Sequence, residues 1–301
     1  MIKRAVVVGG AGAVGQLFAE RLLASGAAVT IVDPVAPGKT PDGAVVGTGT
    51  GEHATWMRGD ITAMDFRLAA EIGHADLIVL AVPEPVAIAA VHEICEELRP
   101  DALLVDTLSV KQSMAAALRA RAPGVQAVGL NPMFAPSLGF EGRPVAAVVV
   151  TEGQRTGDLL TLVESWGATV VRVDAQRHDR LAASVQALVH AAVLGFGLAL
   201  AELDVPAADV RAAAPPPANT LLALLARIAS GTPEVYWDVQ HGNPEAAAAR
   251  SALAGSVRRL AEIVEHGTEA SFAEALATLR EHLGEDLAHH RDTCAALFEQ
   301  V

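Results

Sequence analysis

The sequence predicts two parts: a doubly wound α/β domain over residues 1–174 and an all-α domain over 175–301. Two observations predict it. Up to about Asp174, short runs rich in Val, Ile and Leu alternate with segments of helical periodicity, the pattern of a mostly parallel sheet covered on both faces. From Asp179 onward only helical periodicity is found, broken by Pro215-Pro216-Pro217, Gly231-Thr232-Pro233 and Gly242-Asn243-Pro244. A length of 301 residues suits two domains, and 51% hydrophobic against 19% charged residues supplies a large core.

Taken in order, Ala5–Val8 is too short for a helix and is β-branched, so it reads as a buried strand. Ala13–Ser25 carries Val14, Leu17, Phe18 and Leu22 at helical spacing, and Gly26 stops it. Val29–Val32 is a second strand ending in Asp33, and Pro34–Gly51 is loop. A weak strand falls near Thr55–Met57 and a helix over Ile61–Ile72. Asp76–Val82 is a strand, Pro83-Glu84-Pro85 opens a helix through Leu98, Ala102–Asp106 is a strand, and Lys111–Arg121 is a helix. Val125–Leu130 is a strand that stops at Asn131-Pro132. Val145–Val150, Thr156–Trp166 and Thr169–Val173 read as strand, helix and strand. In the second part, Ala246–His266, Ser271–Leu283 and Glu285–Gln300 are amphipathic helices.

Between the first strand and the first helix lies Gly10-Ala11-Gly12-Ala13-Val14-Gly15, a G-x-G-x-x-G. Gly10 permits a tight turn, Gly12 lets backbone approach a pyrophosphate, and Gly15 lets helix pack on strand. The first helical turn, at Ala13 and Val14, offers free N–H groups and a partial positive charge to phosphate. Asp33 ends the next strand, where a carboxylate holds the ribose hydroxyls of NAD and repels a 2′-phosphate; Pro34 and Val35 supply no Arg for one. The first domain therefore reads as a Rossmann-type NAD-binding domain. Ligands of such sheets lie beyond the carboxyl ends of the strands, which adds Val82 and Pro83 to the expected cofactor contacts.

The net charge of −13, without a basic stripe, argues against nucleic acid or anionic lipid as partner. Cys95 and Cys294 form no disulfide framework and no metal spacing; both fall in helical patterns, read as inert core thiols of a reducing, cytoplasmic compartment. His53, His74, His92, His241, His289 and His290 have no metal spacing either and read as surface. No secretory signal is expected, since the N-terminus runs directly into a strand. Leu181–Ala201 holds no Asp, Glu, Lys or Arg and is long enough to span a bilayer. Its Ser184, Gln186, His190, Gly195 and Gly197 instead suit the core of a helical dimer, so a homodimer and no membrane are expected.

Four polar groups fall where chemistry is expected: Asp106 to Lys111 with Ser109, Asn131 to Pro136, His178-Asp179 with Gln186 and His190, and Arg227. Each has a bland alternative. Ser109 and Asp106 suit a helix N-cap, Asn131-Pro132 a turn, His178-Asp179 a cap for the long helix, His190 a satisfied core histidine, and Arg227 an interface ion pair.

Together they resemble the prephenate dehydrogenase family over nearly the full length. That family carries an aspartate-x-x-Ser-Val-Lys group after a strand and a His-Pro-Met-Phe-Gly-Pro-like motif about twenty residues later. A His-Asp pair opening a helix follows, then a second His twelve residues on and an Arg before Pro-x-x-(aromatic)-x-Asp. The resemblance implies an all-α dimerisation domain, Ser109 at the substituent on substrate C4, Arg227 on a substrate carboxylate, and His178, Gln186 and His190 shaping the pocket. Two positions depart from it: Ala135 stands for Gly, and Asn131 stands for the His that takes the C4 hydroxyl proton. A positioned base is worth about 10²–10⁴-fold in rate, and an amide cannot supply it. A ring amino group at C4 expels hydride without that base. The expected reaction is therefore NAD-dependent oxidation and decarboxylation of a 4-amino-substituted prephenate, as in supply of 4-aminophenylalanine for antibiotics. The alternatives are prephenate or arogenate oxidation, or a catalytically silent NAD-binding regulator. A 3-hydroxyacid dehydrogenase of the same plan would want a helical-domain Lys, and none follows Lys111.

Overall fold

The computed structural model describes residues 2–35 and 54–299. They fall into two compact units, Met1–Arg180 and Leu181–Val301. The loop expected beyond residue 35, and His53, lie outside the described residues.

The first unit is built on one eight-stranded sheet of order β3-β2-β1-β4-β5-β6-β7-β8. Its strands are β1 (Arg4–Val8), β2 (Ala28–Asp33), β3 (Ala54–Arg58), β4 (Leu77–Leu80), β5 (Leu103–Asp106), β6 (Gln126–Pro132), β7 (Pro144–Thr151) and β8 (Thr169–Arg172). Its helices are α1 (Ala13–Ala24), α2 (Phe66–His74), α3 (Glu84–Glu97), α4 (Gln112–Arg121), α5 (Gln154–Ser165) and α6 (Ala175–Ala182). Strand side chains alternate between two cores. Ala5 and Val7 pack with Leu17, Phe18, Leu22, Leu160 and Val163 on one face, whereas Val6 and Val8 pack with Leu68, Ile72, Val91 and Met114 on the other. Both faces are covered, which explains why β4 is apolar throughout and why β1 and β5 are apolar apart from Arg4 and Asp106 at their ends.

All pairings are parallel except β6 with β7. Between those two strands the chain makes only the short 3₁₀ turn Pro136–Leu138, too little for the crossover that a parallel return needs. The strand order reverses between β1 and β4, the switch point at which such sheets bind ligands.

The structure corrects several expected details. Helix α2 starts at Phe66 rather than Ile61, because the Asp65 carboxylate accepts the N–H groups of Arg67 and Leu68 and caps it. His178 and Asp179 do not open a helix. Asp174 does that, accepting the Arg177 N–H at 2.8 Å, so the pair lies a turn inside α6 and remains with the first unit. Asn131 and Pro132 are the last residues of β6, not a turn. Cys95 is half-buried, with its thiol pushed up to about 11 by burial, but Cys294 is exposed and is no core thiol.

The second unit is wholly helical among the described residues. A π-helical segment Ala183–Ala187 leads into α7 (Leu188–Glu202), α8 (Ala207–Ala213), α9 (Pro216–Ala229), α10 (Pro233–His241), α11 (Ala246–His266), α12 (Glu269–Leu283) and α13 (Leu287–Phe298). The run Ala175–Glu202 is, among the described residues, the one helix long and apolar enough to cross a membrane. Exposed apolar side chains are not confined to it: Leu198, Leu224, Trp237, Val257, Val264 and Leu279 spread them over α7, α9, α10, α11 and α12. Exposed apolar surface spread over several helices marks an interaction surface.

Candidate active site

At the β1/β4 switch lies a cleft of about 400 Å³ lined by Gly12, Asp33, Gly59, Thr62, Val82 and Pro83, among others. Gly12 is the N-cap of α1 and has no side chain to cap it, so the first helical turn at Ala13 and Val14 keeps donors for an anion. The tight turn runs Gly9–Gly12, closed by the Gly12 N–H on the Gly9 carbonyl at 3.1 Å, and Gly10 lies inside it. Gly9 has φ +81° and a Cβ there would sit 2.2 Å from the Ala81 carbonyl oxygen. Gly10 is needed for packing, since its Cβ would lie 2.3 Å from Ile31 Cγ2. Gly15 lets α1 approach the loop, its absent Cβ falling 2.3 Å from the Gly9 oxygen. Asp33 accepts the Ala11 N–H at 3.0 Å and the Val35 N–H at 2.9 Å, so this carboxylate holds the glycine loop as well as facing the cleft. The uncapped helix, the glycine cradle and the acid at the end of β2 fit a dinucleotide.

Further along the same sheet edge, register puts Leu80 beside Asp106 and Asp106 beside Gly129, two residues before Asn131. Lys111, 1% exposed, donates from Nζ to Asp106 and, at 3.0 Å, to the Leu130 carbonyl. Burial pulls its ammonium below the ordinary lysine range, against the charges of Asp106 and Asp179. A side chain at Gly129 would meet the Asp106 carboxylate and Lys111 Cδ, each at 2.8 Å, so this ion pair is packed against β6 backbone.

Asp179, fully buried, accepts the Lys111 N–H at 2.8 Å, the Gln112 N–H at 3.0 Å and Gln112 Nε2 at 3.1 Å. It also meets His178 Nδ1 at 2.8 Å. Burial alone would raise its pKa; these hydrogen bonds outweigh it and hold the carboxyl below the usual range. His178 Nε2 lies 3.1 Å from Asn131 Nδ2. Asn131 and His178, distant in sequence, are thus in contact and 3% and 1% exposed. Ser109 lies in the loop that ends at Lys111 and is half-buried; among the described residues its hydroxyl has no hydrogen-bond partner. The sequence reading missed Lys111, Asp106, Gln112 and Asp179 as the frame beneath Asn131. The Asp-x-x-Ser-Val-Lys spelling was the available signal.

In the second unit, His190 packs edge-on to Tyr236, ring centroids 5.1 Å apart, and burial together with the charge of Arg227 lowers its pKa. His190 Nδ1 and Gln186 Oε1 are buried and lack hydrogen-bond partners among the described residues. Such atoms are uncommon unless a ligand or water completes them. Gln186 stands in the π-helical segment, whose Ala187 carbonyl is taken by Gln240 Nε2 at 2.7 Å. Arg227 is exposed. No cluster of metal-ligating side chains occurs among the described residues.

The chain matches the family model "Prephenate dehydrogenase, nucleotide-binding domain" over residues 40–172 and "Prephenate dehydrogenase, dimerization domain" over 174–278. It is 52% identical to a 4-amino-4-deoxyprephenate dehydrogenase of Streptomyces pristinaespiralis, over 98% of this chain and 96% of that one. It is 26% identical to a probable arogenate/prephenate dehydrogenase of Methanocaldococcus jannaschii, over 70% of this chain and 48% of that one. The fold is similar to that of prephenate dehydrogenase from Aquifex aeolicus, solved with hydroxyphenyl propionate and NAD+. The TM-score is 0.72 at 20% identity, covering 94% of this chain and 97% of that one. With this helical unit following this nucleotide-binding unit, the chain belongs to the prephenate dehydrogenase family.

Proposed function

We propose that this protein is an NAD-dependent dehydrogenase, homodimeric through its helical unit, that converts 4-amino-4-deoxyprephenate to 4-aminophenylpyruvate and CO₂. The observation that carries the reading is the buried Asn131 amide at the end of β6, bonded to His178, where a base would be needed for a ring hydroxyl. The 52% identity to a relative of that name supports it.

The cleft residues Gly12, Asp33, Val82 and Pro83, with the Ala13 and Val14 N–H groups, hold the dinucleotide, and Asp33 favours free ribose hydroxyls over a 2′-phosphate. Bound NAD+ supplies the hydride acceptor. The chain's own residues handle the nitrogen. The Asn131 amide and Ser109 hydroxyl hydrogen-bond the C4 substituent. As the C4–H electron pair departs, the nitrogen lone pair closes a C=N bond. Rupture of the C1–carboxylate bond then returns electrons through the ring, giving the aromatic amine and CO₂. The substrate ammonium must first shed one proton. His190, whose pKa burial and the charge of Arg227 lower, is assigned that role. Arg227 is assigned a substrate carboxylate and Gln186 a substrate donor.

The test is the initial rate of NADH formation from the amino substrate and from prephenate. The amino substrate is expected to lead in kcat/KM by about 100-fold or more, the low end of what a missing base costs prephenate. Equal or faster turnover of prephenate overturns the reading.

A further inference from the structure

We infer that Asp179 and His178 are positioning residues that set which way the Asn131 amide faces, leaving its carbonyl oxygen as the acceptor offered to the group on the reacting carbon. This rests on the reading above, which puts Asn131 at C4.

The inference follows from counting donors and acceptors. An ionised carboxylate only accepts, and Asp179 is bonded to two backbone N–H groups, the Gln112 amide and His178 Nδ1. His178 Nδ1 must therefore carry the ring proton. In the neutral ring Nε2 is then a lone pair, and the atom facing it at 3.1 Å must be a donor, which fixes Asn131 Nδ2 toward the ring. The Asn131 oxygen is the end left over, and among the described residues it has no hydrogen bond. The opposite flip would set the amide oxygen against the Nε2 lone pair and present an N–H to the substrate. That N–H would repel an ammonium and offer nothing to an amine N–H.

Asp179 has a plainer duty as well, capping the first turn of α4 through the Lys111 and Gln112 N–H groups. A cap does not care which imidazole nitrogen bears the proton; an orienting device does. His178 is then no base for the amine, because its one lone pair is already engaged.

The test begins with the whole wild-type protein, labelled with 15N-histidine and read by long-range 1H–15N correlation. The His178 signals are assigned by their loss in His178→Gln. A proton on Nδ1 is expected; a proton on Nε2 overturns the inference. Asp179→Asn is expected to move the proton to Nε2 or mix the tautomers, and to lower kcat for the amino substrate roughly 100-fold, the scale of one misdirected hydrogen bond. KM for NAD should stay within about twofold, on the same ground. His178→Gln, whose amide can accept from Asn131, should retain kcat within about tenfold, whereas His178→Leu should lose as much as Asp179→Asn. The losses of Asp179→Asn and Asn131→Ala should not multiply in the double variant. Losses that multiply, or a His178→Gln no better than Leu, would reduce Asp179 to a cap and overturn the inference. The tautomer is read without substrate, so the two readings fail separately. Prephenate preference with Nδ1–H sinks the substrate assignment, and Nε2–H with amine turnover sinks this one.

Discussion

Lys111→Met is the perturbation whose cost the structure specifies most fully. Met matches the length of the lysine stem but removes the ammonium that meets Asp106 and the Leu130 carbonyl. The Asp106 carboxylate, 2% exposed, then keeps, among the described residues, only the Leu108 N–H at 3.2 Å. The pair packs on Gly129, where even a methyl group would be 2.8 Å from both partners, so water has little room to replace the ammonium. Removing one partner of a buried ion pair costs about 3–5 kcal/mol, a large share of a typical domain stability of about 5–15 kcal/mol. Asp106→Asn in the same chain should recover most of it, since no buried charge is then left alone. Urea unfolding at one fixed protomer concentration measures both, the concentration being fixed because an oligomer's stability depends on it. A single variant within about 1 kcal/mol of wild type, or a double variant as unstable as the single, would show that Asp106 is not left as an uncompensated buried charge.

Further outcomes are expected elsewhere. Gly15→Ala puts a methyl 2.3 Å from the Gly9 oxygen, backbone that cannot swing away, so it should cost about 1–3 kcal/mol and weaken NAD binding by calorimetry. Asp33→Ala frees the Ala11 and Val35 N–H groups and removes the charge opposing a 2′-phosphate. KM for NAD should rise about tenfold while the preference over NADP shrinks. Asp179 has a folded pKa below its ordinary 3.8, so the stability it contributes is complete above pH 3.8 and is lost as pH falls through the lower folded value. Acid unfolding of Asp179→Asn should therefore be shallower in that range, and an unchanged slope would contradict the assignment.

Much of this molecule was legible in its residues. The alternation of β-branched runs with helices marks the sheet because its central strands β1, β4, β5 and β6 are buried on both faces. The G-x-G-x-x-G with Asp33 marks the cofactor cleft because dinucleotide contact needs those backbone shapes. The reading slipped where the deciding partner is distant or local chemistry beats periodicity. Apolar spacing alone suggested a helix from Ile61, but Asp65 captures the N–H groups that start it. The motif points to Gly10, Gly12 and Gly15, but residue 9 must be glycine too, because the Ala81 carbonyl just past β4 leaves no room for a Cβ there. Lys111 looked like a helix start, because Asp106, Leu130 and Asp179 are brought to it only by the sheet and α6. The antiparallel direction of β7 is itself written in the sequence, since no helical pattern separates Pro132 from Pro144.

On the proposed reading, an amide at residue 131 leaves the ring nitrogen to drive hydride departure. The measurement that tests it most directly is the ratio of kcat/KM for the amino substrate to that for prephenate in Asn131→His against wild type. The expected result is a fall in that ratio of about 100-fold or more, because prephenate turnover gains a base that the amine does not need. An unchanged ratio, in a variant shown to be folded and to bind NAD, would contradict it.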